Sequence, residues 1–158
     1  MAKDGYILSI DQGTTSSRAL IFADNGQILS QKNYEFTQFY PKNGWVEHDP
    51  IEIFDTTVKA IKFVITDSNI DPKDISVAGI TNQRETVVVW DKISGKPIHN
   101  AIVWQDRRTE EICEKLRKDG FSESITKKTG LIIDPYFSGT KIKWILENVP
   151  EAKNKLDS

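Results

Sequence analysis

An apolar run at residues 6–10 leads into the polar stretch Asp11-Gln12-Gly13-Thr14-Thr15-Ser16-Ser17-Arg18 and out again into a second apolar run at 19–23. Asp24-Asn25-Gly26-Gln27 follows, and its Asn-Gly pair favours a tight hairpin because both residues accept positive φ. A third strand is then predicted from Ile28 to about Phe36, so the chain opens as a meander of three antiparallel strands. No Gly-x-x-x-x-Gly-Lys-Ser/Thr and no Gly-x-Gly-x-x-Gly occurs anywhere, which removes the common nucleotide-binding loops.

Beyond a loop at 38–48, Asp49-Pro50-Ile51-Glu52 reads as a helix start, with Asp49 as N-cap, Pro50 in the first turn and Glu52 placed to close a capping box. Ile51, Phe54, Val58, Ile61 and Ile65 make one apolar stripe on a helix of about 18 residues. Buried strands are predicted at 75–81 and 86–90, and a strand-like run at 98–104. Helices are predicted at 106–118, 122–129 (ended by Gly130) and 140–148, the last with Ile142, Ile145 and Leu146 inward, before a polar tail at 151–158. The order is mixed α/β.

Composition bounds the partners. With 21 Lys and Arg against 23 Asp and Glu, the net charge is −2, so no general basic surface for nucleic acid exists, although a local anion site remains open. Basic residues do not alternate with aromatic ones as single-strand binding requires. Apolar runs fall far short of the ~20 residues that span a bilayer. Met1–Gly5 lacks an apolar leader region, and Cys113 is alone, so a reducing, cytoplasmic setting is expected. His48 and His99 lack metal-ligand spacing and are read as structural or surface residues.

Four places carry residues suited to chemistry. At Asp11–Arg18, Gly and small hydroxylated residues are common turn formers, yet they also offer main-chain N–H groups to a phosphate. Arg18 can add a charged donor there, and Asp11 can hold a hydrated Mg²⁺. Arg84-Glu85 is either a surface ion pair or a donor–acceptor pair for the hydroxyls of a polyol. Trp104 is either core or a flat face for the carbon side of a ligand, and Asp106 beside it can be the N-cap of the next helix. Tyr136 either anchors its loop or hydrogen-bonds a ligand.

The blocks Asp11-Gln12-Gly13-Thr14-Thr15-Ser16-Ser17-Arg18, Gly44-Trp45-Val46-Glu47-His48-Asp49-Pro50, Thr81-Asn82-Gln83-Arg84-Glu85-Thr86, Asn100 to Thr109 and Asp134 to Lys141, in this order, resemble the glycerol kinases of the FGGY carbohydrate-kinase family. The resemblance runs over nearly the whole chain. It implies an actin-like ATPase fold of the ribonuclease H type, whose opening β-hairpin cradles nucleotide phosphates. It further implies that Thr14, Thr15, Ser16 and Arg18 contact ATP, that Asp11 serves Mg²⁺, and that Arg84, Glu85 and Tyr136 hold glycerol with Trp104 along its carbon side. The family reaction is ATP plus glycerol giving ADP and glycerol 3-phosphate, commonly in homo-oligomers.

Glycerol kinases are longer, with two actin-like domains, so these 158 residues are expected to be most of the first, with the catalytic base beyond Ser158. The chain alone is then expected to be inactive. A kinase for another polyol or sugar, and a ligand-binding module without catalysis, are the alternatives.

Overall fold

The computed structural model describes residues 5–154. These form two compact units, one built from the chain up to Thr37 and from Ile51–Gln83, the other from Gln38–Pro50 and from Arg84 onward.

The first unit is a four-stranded sheet with one long helix. Strands β1 (Tyr6–Gln12), β2 (Ser16–Phe22) and β3 (Ile28–Glu35) form the expected meander, and β5 (Ile75–Thr81) pairs parallel to β1, giving the order β3-β2-β1-β5. The hairpin joining β2 to β3 turns at Gly26 with φ 84°, and Gln27 N–H donates to the Asn25 side chain at 2.9 Å. Both β1 and β2 run further into the polar stretch than the apolar pattern indicates. Asp11 pairs with Arg18 and Gln12 with Ser17, because ladder pairing uses main-chain groups and needs no apolar side chain.

Helix α1 (Pro50–Asp67) has the predicted start and length. Its inward face is not the predicted stripe. Ala60 and Val64 are the buried residues, packed with Leu8, Ile10, Ala19 and Ile21 of β1 and β2, while Ile61 and Ile65 flank them. Ile51 and Phe54 are exposed, since the apolar residues of this helix spread over more than one face. Glu52, expected in a capping box, receives the Thr37 N–H and hydroxyl at 3.1 Å each. Strand β5 was expected to be buried, yet Val77 and Ile80 are 54% and 72% exposed. It is the outermost strand, paired on one side only, so its composition overstates its burial.

In the second unit, regular pairing is brief. Strand β4 (Glu47–His48) pairs antiparallel with β6 (Ala101–Ile102), and Val87 adds a single bridge to Ile102. The strands predicted at 86–90 and 98–104 therefore reduce to bridges and this two-residue ladder; their apolar side chains serve a small core of Val87, Ile102, Ile145 and Ala152. Helices α2 (Glu110–Lys118), α3 (Ser122–Thr129), α4 (Ser138–Asn148) and α5 (Pro150–Asn154) follow. Helix α2 begins four residues later than predicted, at Glu110 and not at Asp106. Of the three α4 residues expected inward, Ile145 is buried, Leu146 flanks the core and Ile142 is 44% exposed. The predicted polar tail contributes α5, whose Ala152 is buried; residues 155–158 lie outside the described ones. Among the described residues, no helix is long and apolar enough to cross a membrane.

Candidate functional site

In the first unit, Gly13, Thr14 and Thr15 form the tip between β1 and β2. Gly13 N–H donates to Ser16 O at 3.0 Å, and a Cβ on Gly13 would lie 3.1 Å from that oxygen, tighter than an ordinary contact, so a side chain there would press the turn outward by a few tenths of an ångström. The base of the turn is held by hydroxyls. Ser17, fully buried, donates to Gln12 Oε1 at 2.9 Å and shares a 2.9 Å bond with Thr56, while Thr57 donates to the same Gln12 oxygen at 2.7 Å. Thr14 and Thr15 are thus carried on a base fixed to α1. Gln12 and Ser17 were not singled out in the sequence; their one signal was lying among small polar residues.

Across the ladder, Arg18 Nη2 and Asp11 Oδ2 form an ion pair at 2.6 Å, with side chains 49% and 32% exposed. Together with Gly13, Ser16, Gln31, Lys32 and Asn33 they line an open concavity of about 630 Å³. All the proposed phosphate-side residues therefore lie on one hairpin. Among the described residues, no group of three or more His, Cys, Asp or Glu is placed to hold a metal. A protein cage for a cation is absent there, and a single carboxylate suits Mg²⁺ that keeps its waters and arrives with phosphate.

In the second unit, the residues singled out for a polyol gather around the first turn of α4. Glu85 has φ 66°, a left-handed conformation uncommon outside glycine. Its Oε2 receives Ser138 N–H at 2.8 Å and the Ser138 hydroxyl at 2.6 Å, bonds that hold its carboxyl below the ordinary glutamate value of 4.5. Trp104 and Tyr136 meet edge to face at 5.9 Å between ring centroids, and Phe137 packs against Tyr136 at 5.1 Å. Trp104 N–H donates to Thr86 Oγ1 at 3.3 Å, tying its loop to the turn that carries Glu85. Arg84 is exposed beside Glu85.

Lys141 was not foreseen. Its side chain is fully buried, and its ammonium donates to Glu85 O at 3.2 Å and to Tyr136 O. Burial lowers it to about 8 from an ordinary 10.5. The available signal was spacing, since Lys141 stands one turn before the buried Ile145 on the same face of α4.

Asp106 is not the N-cap of α2. It is buried, receiving Val46 N–H at 2.7 Å and the Arg108 guanidinium through Nε at 2.9 Å and Nη2 at 2.8 Å. Arg108 also reaches Glu47 at 2.8 Å, and its guanidinium carbon lies 3.8 Å from the Trp45 ring centre and 4.6 Å from that of Trp144. This buried knot joins the 44–50 segment to the loop bearing Trp104, so those two sequence blocks are structural partners. His48 is fully buried and bonded to Gln38, and His99 is half-buried 3.9 Å from Glu47, both consistent with structural roles.

Glycerol kinase from Thermoanaerobacter sp. (strain X514) is 60% identical over 157 residues, covering 99% of this chain and 31% of that protein. The crystal structure of Plasmodium falciparum glycerol kinase with ADP superimposes with a TM-score of 0.89 at 42% identity, over 98% of this chain and 31% of that one. Gluconate kinase from Lactobacillus acidophilus, at 24% identity and a TM-score of 0.85 over 96% of this chain and 30% of that one, shares the fold. The fold is thus the actin-like ATPase fold of the sugar kinases, with the expected antiparallel meander at its start. The chain spans about a third of the length of these relatives. The N-terminal domain of the FGGY family of carbohydrate kinases matches residues 6–158, and the chain belongs to that family.

Proposed function

We propose that the chain is the N-terminal portion of a glycerol kinase, which transfers the γ-phosphate of ATP to glycerol and yields glycerol 3-phosphate and ADP. The observation that carries this reading is the gathering of Glu85, Trp104 and Tyr136 around one turn of α4, with Arg84 exposed beside them. Arg84 donates to the hydroxyls of the polyol and the Glu85 carboxylate accepts from them. The Tyr136 phenol adds a further bond, and the Trp104 ring covers the carbon side. Relatives with 57–60% identity over nearly the whole chain bear the name glycerol kinase, which favours this substrate over other polyols.

On the other unit, main-chain N–H groups and hydroxyls of Thr14, Thr15 and Ser16 take the nucleotide phosphates, and Arg18 leaves Asp11 to join them. Asp11 would then be the carboxylate that holds a hydrated Mg²⁺, which would supply positive charge against the phosphates. In the transfer, a glycerol oxygen bonds to the γ-phosphorus as the bond to the bridging oxygen of ADP breaks. The hydroxyl proton passes to a base outside this chain. Such chemistry depends on positioning and charge stabilisation by many groups at once, so no turnover is expected from the 158 residues alone.

Coupled ADP-release assays on the full-length protein with glycerol, xylulose and gluconate test the reading. Glycerol-dependent ADP formation is expected from the full-length protein and none from the 158-residue chain. Preference for xylulose or gluconate would overturn the substrate assignment.

A further inference from the structure

Lysine is among the residue types least often buried, and one kept in a core needs partners that justify the desolvation of its charge. Lys141 is fully buried in the first turn of α4, and both of its hydrogen-bond acceptors are main-chain carbonyls, those of Glu85 and Tyr136. These two residues lie 51 positions apart in sequence and sit on separate loops. Each loop has its own second tie. Ser138 takes the Glu85 carboxylate through its N–H and hydroxyl. Asp134 takes Tyr136 N–H at 2.8 Å and is itself paired with Arg107 at 2.9 Å. Ser138 fastens the Glu85 carboxylate to the start of α4, and the Lys141 ammonium joins the main chains of Glu85 and Tyr136 directly.

The Glu85 backbone sharpens the point. At φ 66° a non-glycine residue stays only where its surroundings over-determine it. Here three bonds do so, two to the carboxylate from Ser138 and one to the carbonyl from Lys141. An apolar side chain of similar length would fill the same space, and it would remove the donor that the Glu85 and Tyr136 carbonyls share, leaving the Ser138 bonds alone to fix their spacing.

We propose that Lys141 is a positioning residue for polyol recognition: by holding the carbonyls of Glu85 and Tyr136 on one ammonium, it sets the spacing between the Glu85 carboxylate and the Tyr136 phenol that the substrate hydroxyls read. This rests on the glycerol reading above. Lys141 does not touch the substrate. Its effect therefore falls on glycerol affinity and orientation and not on the nucleotide, whose residues lie on the β1–β2 hairpin. The charged groups facing the ammonium are Glu85, Asp106 and Asp134, with the Cys113 thiol also nearby, and all favour its protonated form against the burial that lowers it to about 8.

The test uses the full-length kinase. Lys141→Met is expected to raise the KM for glycerol at least about tenfold while the KM for ATP stays within about twofold, since the loss is confined to one ligand. Lys143→Ala on the same helix, whose partner is Glu147 on the surface, serves as the control and is expected to leave both unchanged. A second variant, Lys141→Arg, keeps a cation with several N–H donors at this position and is expected to hold the glycerol KM closer to wild type than Lys141→Met does. An unchanged glycerol KM in a folded Lys141→Met enzyme, or no recovery in a folded Lys141→Arg enzyme, would overturn the role. A wild-type enzyme with no glycerol-dependent ADP release would instead overturn the glycerol reading, and this inference with it.

Discussion

Replacing Glu85 by alanine and, separately, by glycine divides its contribution into side-chain and backbone parts. Alanine removes the acceptor of two bonds from Ser138, at 2.8 and 2.6 Å, that close the N-terminus of α4. Bonds to a charged acceptor contribute about 1.5–3 kcal/mol each when sheltered. Glu85 is only half-buried, and water can replace part of them, so about 2–3 kcal/mol in total is expected. Alanine also keeps the strain of φ 66°, about 1–2 kcal/mol. Glycine relieves that strain but loses about 0.4–1 kcal/mol through the freer unfolded chain. Glu85→Gly is therefore expected to be more stable than Glu85→Ala by about 0.5–1 kcal/mol, the reverse of the usual order.

Thermal unfolding followed by circular dichroism reads this directly. At about 2–4 °C per kcal/mol, Glu85→Ala should melt about 4–12 °C below wild type and Glu85→Gly about 1–4 °C above Glu85→Ala. Acid adds a check. The Glu85 carboxyl is lowered on folding by its Ser138 bonds, so its stabilisation is fully present above the ordinary value of 4.5. It is lost as pH falls through the lowered folded value, and the gap between wild type and Glu85→Ala should close there. A glycine variant that melts below the alanine variant would refute the reasoning.

Three further outcomes are expected. Arg84→Ala should raise the glycerol KM about 30-fold or more, the equivalent of about 2 kcal/mol or more for a charged donor lost from a hydroxyl, with nucleotide binding unchanged; an unchanged KM would remove Arg84 from the site. Gly13→Ala sets a methyl group 3.1 Å from Ser16 O, so the turn must shift by a few tenths of an ångström, and titration with a fluorescent ATP analogue should show weaker binding while glycerol affinity holds; wild-type nucleotide affinity would contradict the tight-turn account. Arg108→Met leaves the buried Asp106 and Glu47 carboxylates uncompensated and should cost about 3–5 kcal/mol in urea unfolding, and a loss below about 1 kcal/mol would show that the knot is not a stabilising element.

Local signals that act through the backbone were readable in the sequence. Asn25-Gly26 marks the place of its hairpin, although Gly26 takes positive φ and Asn25 does not, and Asp49-Pro50 starts α1 at the right residue. Side-chain burial was harder to read where apolar residues occur on several faces. Ile51 and Phe54 match the helical period as well as Val64 does, yet only Val64 faces the sheet. The apolar runs around Val87 and Ile102 report burial, and burial alone does not say that a ladder forms. Among the candidate site residues, the hairpin proposed to take phosphate stands out because glycine and hydroxyls cluster there. Lys141 and Arg108 do not, because lysine and arginine are ordinarily surface residues and only the fold shows which carbonyls, carboxylates and rings enclose them.

A crystal structure of the full-length protein with glycerol bound tests the central claim most directly. The account predicts glycerol hydroxyls within about 3.2 Å of the Arg84 guanidinium and the Glu85 carboxylate, with the Trp104 ring along the carbon chain and Lys141 still bridging Glu85 O and Tyr136 O. Glycerol bound elsewhere, with Arg84 and Glu85 facing solvent, would contradict it.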